Sequence, residues 1–140
     1  MPASPAEPSE MIRVLMERWI DDPASPVVYT EQVDGRRAVR MRQQIRDFTT
    51  VWFDVGERSV RIEAYVVPAG DHPVELLRQC LVRNRNTWRT RYCIDEQNGI
   101  VLRARVALEN LDEAEMSFVM AEIYEQIEVG FRPLLRALGG

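Results

Sequence analysis

Hydrophobic residues recur at helical spacing near both ends of the chain and at every second position through much of its middle. Met11, Ile12, Leu15, Met16, Trp19 and Ile20 form one stripe, which predicts an amphipathic first helix with Ser9 as N-cap and Glu10 in the first turn. Asp21-Asp22-Pro23 ends it, and Pro26 delays the next element. Val27 to Val33 is rich in strand formers, Asp34-Gly35 is a hairpin signal, and Ala38 to Ile45 alternates, with Val39, Met41 and Ile45 on one face and Arg40 and Arg42 on the other. Phe48 to Val55 and Ser59 to Val67 predict a further hairpin around Gly56-Glu57, pairing Val51, Phe53 and Val55 with Val60, Ile62, Ala64 and Val66. The pattern allows Ala38 to Val55 to be one bent strand or two strands broken near Gln43 to Asp47.

Asp71 reads as the N-cap of a second helix with Pro73 in its first turn, where the missing N–H has no intrahelical partner to lose. Val74, Leu77, Leu81 and Cys80 are its expected apolar stripe, and it should end near Asn84 to Asn86. Trp88, Thr90, Tyr92 and Ile94 then alternate up to Asn98-Gly99, and Ile100, Leu102, Ala104, Val106 and Leu108 alternate beyond it, which predicts another hairpin. Asp112 with Glu115 three residues on is a capping box, and Leu111 with Met116 a hydrophobic staple. The last helix should therefore start near Glu113 and carry Met116, Val119, Met120, Ile123, Tyr124, Ile127, Phe131, Leu134, Leu135 and Leu138, with Gly130 and Pro133 kinking or interrupting it. The fold class is α+β, a twisted antiparallel sheet of about five strands packed with helices, because no βαβ rhythm is present and each apolar stripe must bury itself against another layer. Residues 1–9 read as a flexible tail and residues 10–140 as a single domain.

With 46% hydrophobic and 29% charged residues in 140, the chain has the balance of a soluble globular domain with one core. No apolar run approaches the roughly 20 residues that span a bilayer, and the Pro/Ala/Ser/Glu start lacks the basic and apolar regions of a secretory leader. The expected location is therefore cytoplasmic, with no membrane partner. Two cysteines, Cys80 and Cys93, make no disulfide scaffold, and with His72 as the only histidine no metal-ligand spacing and no His-based triad exist, so neither metal nor cofactor is expected.

Charge is what gives this composition its character. Every basic residue is arginine, and arginines dominate two blocks, 36–46 with five against no acid and 78–105 with seven against two, in a chain of net charge −4. Arg40, Arg42, Arg103 and Arg105 should project from the polar faces of strands, where guanidinium groups could grip an acidic peptide or a phosphate. The plainer expectation is that they pair with acids of the same sheet, such as Glu63, or are simply solvated. Arg83, Arg85, Arg89 and Arg91 interleave with Asn84, Asn86 and Trp88 in a manner that suits single-stranded nucleic acid, but a sequence pI of about 5.1 lacks the basic footprint of such domains. Asp112, Glu113 and Glu115 are accounted for by capping, and Glu122, Glu125 and Glu128 by the solvated face of the last helix, and no acid is left conspicuously buried by pattern. Cys93, next but one to Arg91, is the remaining candidate for an activated group.

The run Leu76-Leu77, Asn84, Asn86, Tyr92-Cys93-Ile94-Asp95, Asn98-Gly99, Val101-Leu102-Arg103-Ala104-Arg105 and Leu111-Asp112-Glu113 resembles the YbjN family, which is described as a bacterial sensory transduction regulator. The resemblance implies the α-β-β-β-α-β-β-α fold of type III secretion chaperones, and a regulatory or chaperone-like module without catalytic residues that binds an unidentified protein partner. A nucleic-acid or anionic-ligand binder using the arginine-rich sheet face is the alternative. Those chaperones commonly work as dimers, and the last helix is longer than a small sheet should cover, so a homodimer is expected, with Ile127, Phe131, Leu134 and Leu135 as the candidate surface and the first helix or the sheet's edge strand as equal alternatives.

Overall fold

The computed structural model describes residues 6–139. Its elements in order are α1 (Ala6–Ile20), β1 (Val27–Val33), β2 (Arg36–Arg42), β3 (Phe48–Val55), β4 (Ser59–Val67), α2 (Val74–Arg83), β5 (Arg91–Ile94), β6 (Ile100–Ala107) and α3 (Glu113–Gly139), with short 3-10 turns at Asn84–Asn86 and Leu108–Asn110. The strands form one sheet in the order β1-β2-β3-β4-β6-β5, every neighbouring pair antiparallel. It has six strands rather than five, because the stretch from Ala38 to Val55 is two strands. The break at residues 43–47 is held in place: the Gln43 N–H donates to the Asp47 carbonyl at 3.2 Å, and the Thr49 hydroxyl donates to Gln43 Oε1 at 2.9 Å.

The turn chemistry works where the sequence places it. Asp34 and Gly35 both take positive φ, +50° and +79°, the geometry of a two-residue hairpin turn that follows the sheet's twist. Asn98, at φ +65°, turns the chain between β5 and β6, while one Asp95 carboxylate oxygen accepts the N–H groups of Gln97 and Gly99.

All three helices bury their stripes against one face of the sheet. Ile12, Leu15 and Met16 of α1, Leu76 and Cys80 of α2, and Met116, Val119, Met120, Ile123, Ile127 and Leu134 of α3 join Val39, Met41, Val51, Phe53, Val60, Ile62, Ala64, Leu102, Ala104 and Val106 in one core. Ala38 and Val101 are also buried but lie outside that cluster, because they point to the opposite face.

Four sequence expectations change. Helix α1 begins at Ala6, so Ser9 lies inside it instead of capping it; the tail expected over residues 1–9 loses its last four residues, and its first five lie outside the described residues. Helix α2 starts at Val74 with Pro73 at its N-cap and no side-chain cap, and it turns Leu76 inward while Val74 and Leu81 stand 81% and 71% exposed. The strand expected from Trp88 shrinks to Arg91–Ile94, because residues 88–90 are drawn onto α3. Finally, α3 runs unbroken through Gly130 and Pro133. Gly130 has a packing reason, since a Cβ there would sit 2.7 Å from the hydroxyl of buried Tyr92. The Asp112 cap forms as expected, accepting the Glu115 N–H at 2.8 Å.

Candidate functional site

Strand alternation and register decide what stands on the face that the helices leave bare. One row crosses all six strands through successive cross-strand partners, Glu31–Ala38–Trp52–Glu63–Arg103–Arg91. On one side of it lie Tyr29–Arg40–Thr50 and Tyr65–Val101–Cys93, and beyond them Arg42–Phe48; on the other side lie Arg36 and the run Asp54–Arg61–Arg105. The face therefore holds seven arginines against three carboxylates, interspersed with Tyr29, Phe48, Trp52 and Tyr65.

Two of these arginines lie over rings. The Arg36 guanidinium lies 4.5 Å from the Trp52 ring centroid, and that of Arg40 lies 5.9 Å from Tyr29 and 5.4 Å from Phe48. Tyr29, Phe48 and Tyr65 each keep close to half their surface in solvent. Such stacking uses the faces of the guanidinium plane and leaves its N–H edges free to meet an oxygen ligand.

The four arginines singled out by the sequence share this face but do not form one cluster. Arg40 and Arg42 on β2 stand three strand spacings, about 14 Å, from Arg103 and Arg105 on β6. Arg103 behaves as the plainer expectation had it, bonded to Glu63 at 2.7 Å with Glu96 at 3.6 Å. Arg40, Arg42 and Arg105 are exposed, and none has a carboxylate within 4 Å among the described residues. Sequence reasoning missed Arg36, Arg61 and the four aromatics, and it grouped Arg91 with Arg83, Arg85 and Arg89 instead of with this face. The period-two pattern marks each of them as outward-facing, but only the strand order shows that they share a surface.

The four residues expected to form a dimer surface do not present one. Ile127 and Leu134 are 0% exposed and belong to the chain's own core. Phe131 is half-buried beneath the Arg46 guanidinium, 4.8 Å from its centroid, and of the four only Leu135 is substantially exposed.

Two carboxylates read as solvated in fact hold loops. Glu122 accepts the N–H groups of Trp88, Arg89 and Thr90 at 2.7, 2.8 and 2.6 Å and the Thr90 hydroxyl at 2.7 Å. Glu128 accepts Gln43 Nε2 at 2.6 Å and the N–H groups of Gln44 and Ile45 at 2.9 and 3.2 Å. Burial opposes the charge on both, and the converging donors outweigh it, so both carboxyls titrate below their ordinary value. The thiols go the other way: burial raises Cys93 and pushes Cys80 up to about 11, so neither is activated. A groove of about 640 Å³ runs between the end of α1, the start of β1 and α3, lined among others by Trp19, Pro26, Met41, Met120 and Tyr124. Among the described residues no group of three His, Cys, Asp or Glu side chains could hold a metal ion, and no helix is long and apolar enough to cross a membrane.

The YbjN family model, described as "Putative bacterial sensory transduction regulator", matches residues 13–135. An uncharacterized protein of Mycobacterium leprae is 32% identical over 118 residues, covering 80% of this chain and 64% of that protein. Uncharacterized proteins of Mycobacterium bovis and Mycobacterium tuberculosis are 35% identical over 82 residues, covering 58% of this chain and 45% of theirs. The chain thus spans between about half and two thirds of the length of these relatives. Among solved structures, a chain of the heterodimeric ExoU-SpcU complex from the type III secretion system of Pseudomonas aeruginosa is similar over 91% of this chain and 98% of its own, at 17% identity and a TM-score of 0.41.

Proposed function

This chain belongs to the YbjN family, and from that premise we propose that it is a cytoplasmic, non-catalytic protein-interaction module with a regulatory or chaperone-like role, whose partner docks on the bare face of the sheet. The observation that carries this reading is the one-sided sheet: among the described residues three helices cover one face, while the other leaves four aromatics and seven arginines uncovered by any element. Aromatic and arginine side chains are the types enriched in the energetic centres of protein interfaces. The absence of an activated thiol and the structural employment of Glu122 and Glu128 support a role without catalysis. Self-association belongs to the same proposal, with its surface moved to α2, where Val74 and Leu81 stand exposed and Leu77 half-exposed at helical spacing.

The test is cross-linking in the native cell. A photo-reactive residue at Thr50, in the middle of the bare face, should yield a discrete protein adduct, and the same residue at Arg132 on α3 should not. Identical adducts from both positions, or none from Thr50, would contradict the docking reading.

A further inference from the structure

We infer that the partner is recognised through an acidic stretch of its chain laid across the bare sheet face, an inference that rests on reading this face as the docking surface. Seven arginines against Glu31, Asp54, Glu63 and Glu96, whose carboxylate reaches Arg103, give the face a surplus of three positive charges, although the whole chain carries −4. The rest of the molecule therefore carries seven net negative charges, and the face is a basic island in an acidic surround. An acidic segment is drawn to that island and repelled elsewhere.

Arg61 stands directly opposite Arg105, and Arg91 directly opposite Arg103. Like charges in cross-strand pairs destabilise a sheet. Asp54 reaches Arg61 at 3.4 Å and Glu63 reaches Arg103 at 2.7 Å, while Arg105 and Arg91 have no carboxylate within 4 Å among the described residues. A carboxylate supplied from outside would relieve both pairs. Arg36 and Arg40, stacked on rings, are already oriented for such a ligand and lose little freedom on accepting it.

Other occupants fit less well. A second copy would bring two like-charged faces together. A nucleic acid strand needs a succession of free aromatic faces for its bases, yet guanidinium groups stand over Trp52, Phe48 and Tyr29 at 4.5, 5.4 and 5.9 Å from the ring centroids, which leaves Tyr65 as the one clear ring of the four, and a strand running past the island would meet the acidic surround. The face spans roughly 500 to 600 Å² from strand spacing and rise, most of the approximately 800 Å² that each partner contributes to a standard interface. Exposed Phe48 and Tyr65 call for apolar residues among the acids.

Fluorescence anisotropy with three short labelled probes tests this: a peptide alternating Asp or Glu with Leu or Phe, its Asn/Gln counterpart, and an oligothymidine. The acidic peptide should bind at least about tenfold more tightly than its amide counterpart, with affinity falling as salt rises. Arg40→Glu combined with Arg105→Glu should weaken it by about tenfold or more, while Arg132→Glu on α3 should not. Arg105→Glu alone removes a like-charge pair, so its Tm should not fall below that of the unmodified chain, which separates lost binding from lost folding. Equal binding of the amide peptide, tighter binding of the oligothymidine, or no binding of any probe each overturns the inference. A Thr50 adduct with a protein in the cell would then leave the docking face standing with a partner of other chemistry.

Discussion

Ile127→Glu is expected to unfold the chain. Ile127 is 0% exposed in the layer between α3 and the sheet, so a glutamate there must bury a charge without a partner or expel α3 from the core. Either route costs about 5 kcal/mol or more, comparable to the whole stability of an ordinary domain. Circular dichroism at neutral pH should show the helix and sheet signals lost, or a midpoint in urea close to zero. Leu134→Glu should behave alike, since it is buried to the same degree. A folded, monomeric Ile127→Glu protein would mean that this stripe is an interface after all. By contrast Leu81→Glu, on a position 71% exposed, should keep the fold and lower the sedimenting mass of any α2-mediated dimer.

The second large effect comes from a single carboxylate. Glu122→Gln leaves four donors, three of them backbone N–H groups, facing an amide that offers one oxygen and an NH₂ group of its own. Hydrogen bonds to charged groups contribute about 1.5 to 3 kcal/mol each in favourable cases, and an unsatisfied buried donor costs a further 1 to 3. Since Thr90 is buried and the Glu122 carboxylate itself is partly solvated, a net loss of about 2 to 3 kcal/mol is expected. The same group sets an acid response. Its folded-state pKa lies below the unfolded value near 4.3, so its contribution is complete above that value and is lost as pH falls through the folded one. Chemical denaturation at pH 7 and near pH 3.5 should show a difference that shrinks in Glu122→Gln. An unchanged difference would mean that other carboxylates, Glu128 first among them, govern acid stability.

What the sequence made legible was local. Asp34-Gly35, Asn98-Gly99 and Asp112 act through backbone geometry and hydrogen bonds spanning a few residues, and all three sit in the structure as their chemistry dictates. The family resemblance, carried by the residues from Leu76 to Leu138, agrees with the YbjN match over residues 13–135. What depended on tertiary partners was hidden. In ten-residue α2 the stripes through Leu76 and Leu77 are nearly equivalent by period, and contact with the sheet and α3 decides between them. Glu122 and Glu128 occupy positions indistinguishable from solvated ones, because their donors come from residues 88–90 and 43–45, more than 30 positions away. The basic face was half visible. Alternation turns Arg40, Arg42, Arg103 and Arg105 outward, but the adjacency of β4 and β6, across α2 and β5 in sequence, is what sets Arg61 against Arg105 and spreads seven arginines over one surface.

The central claim is that the bare sheet face, and not the groove between α1 and α3, receives the partner. Backbone amide spectra of the isotopically labelled chain, titrated with the acidic peptide, test it residue by residue. The account predicts shifts at Tyr29, Arg40, Thr50, Trp52, Tyr65, Arg103 and Arg105, with Trp19, Met120 and Tyr124 unmoved. Shifts gathered at Trp19, Pro26-flanking residues, Met120 and Tyr124, with the β2, β3 and β6 amides silent, would contradict it.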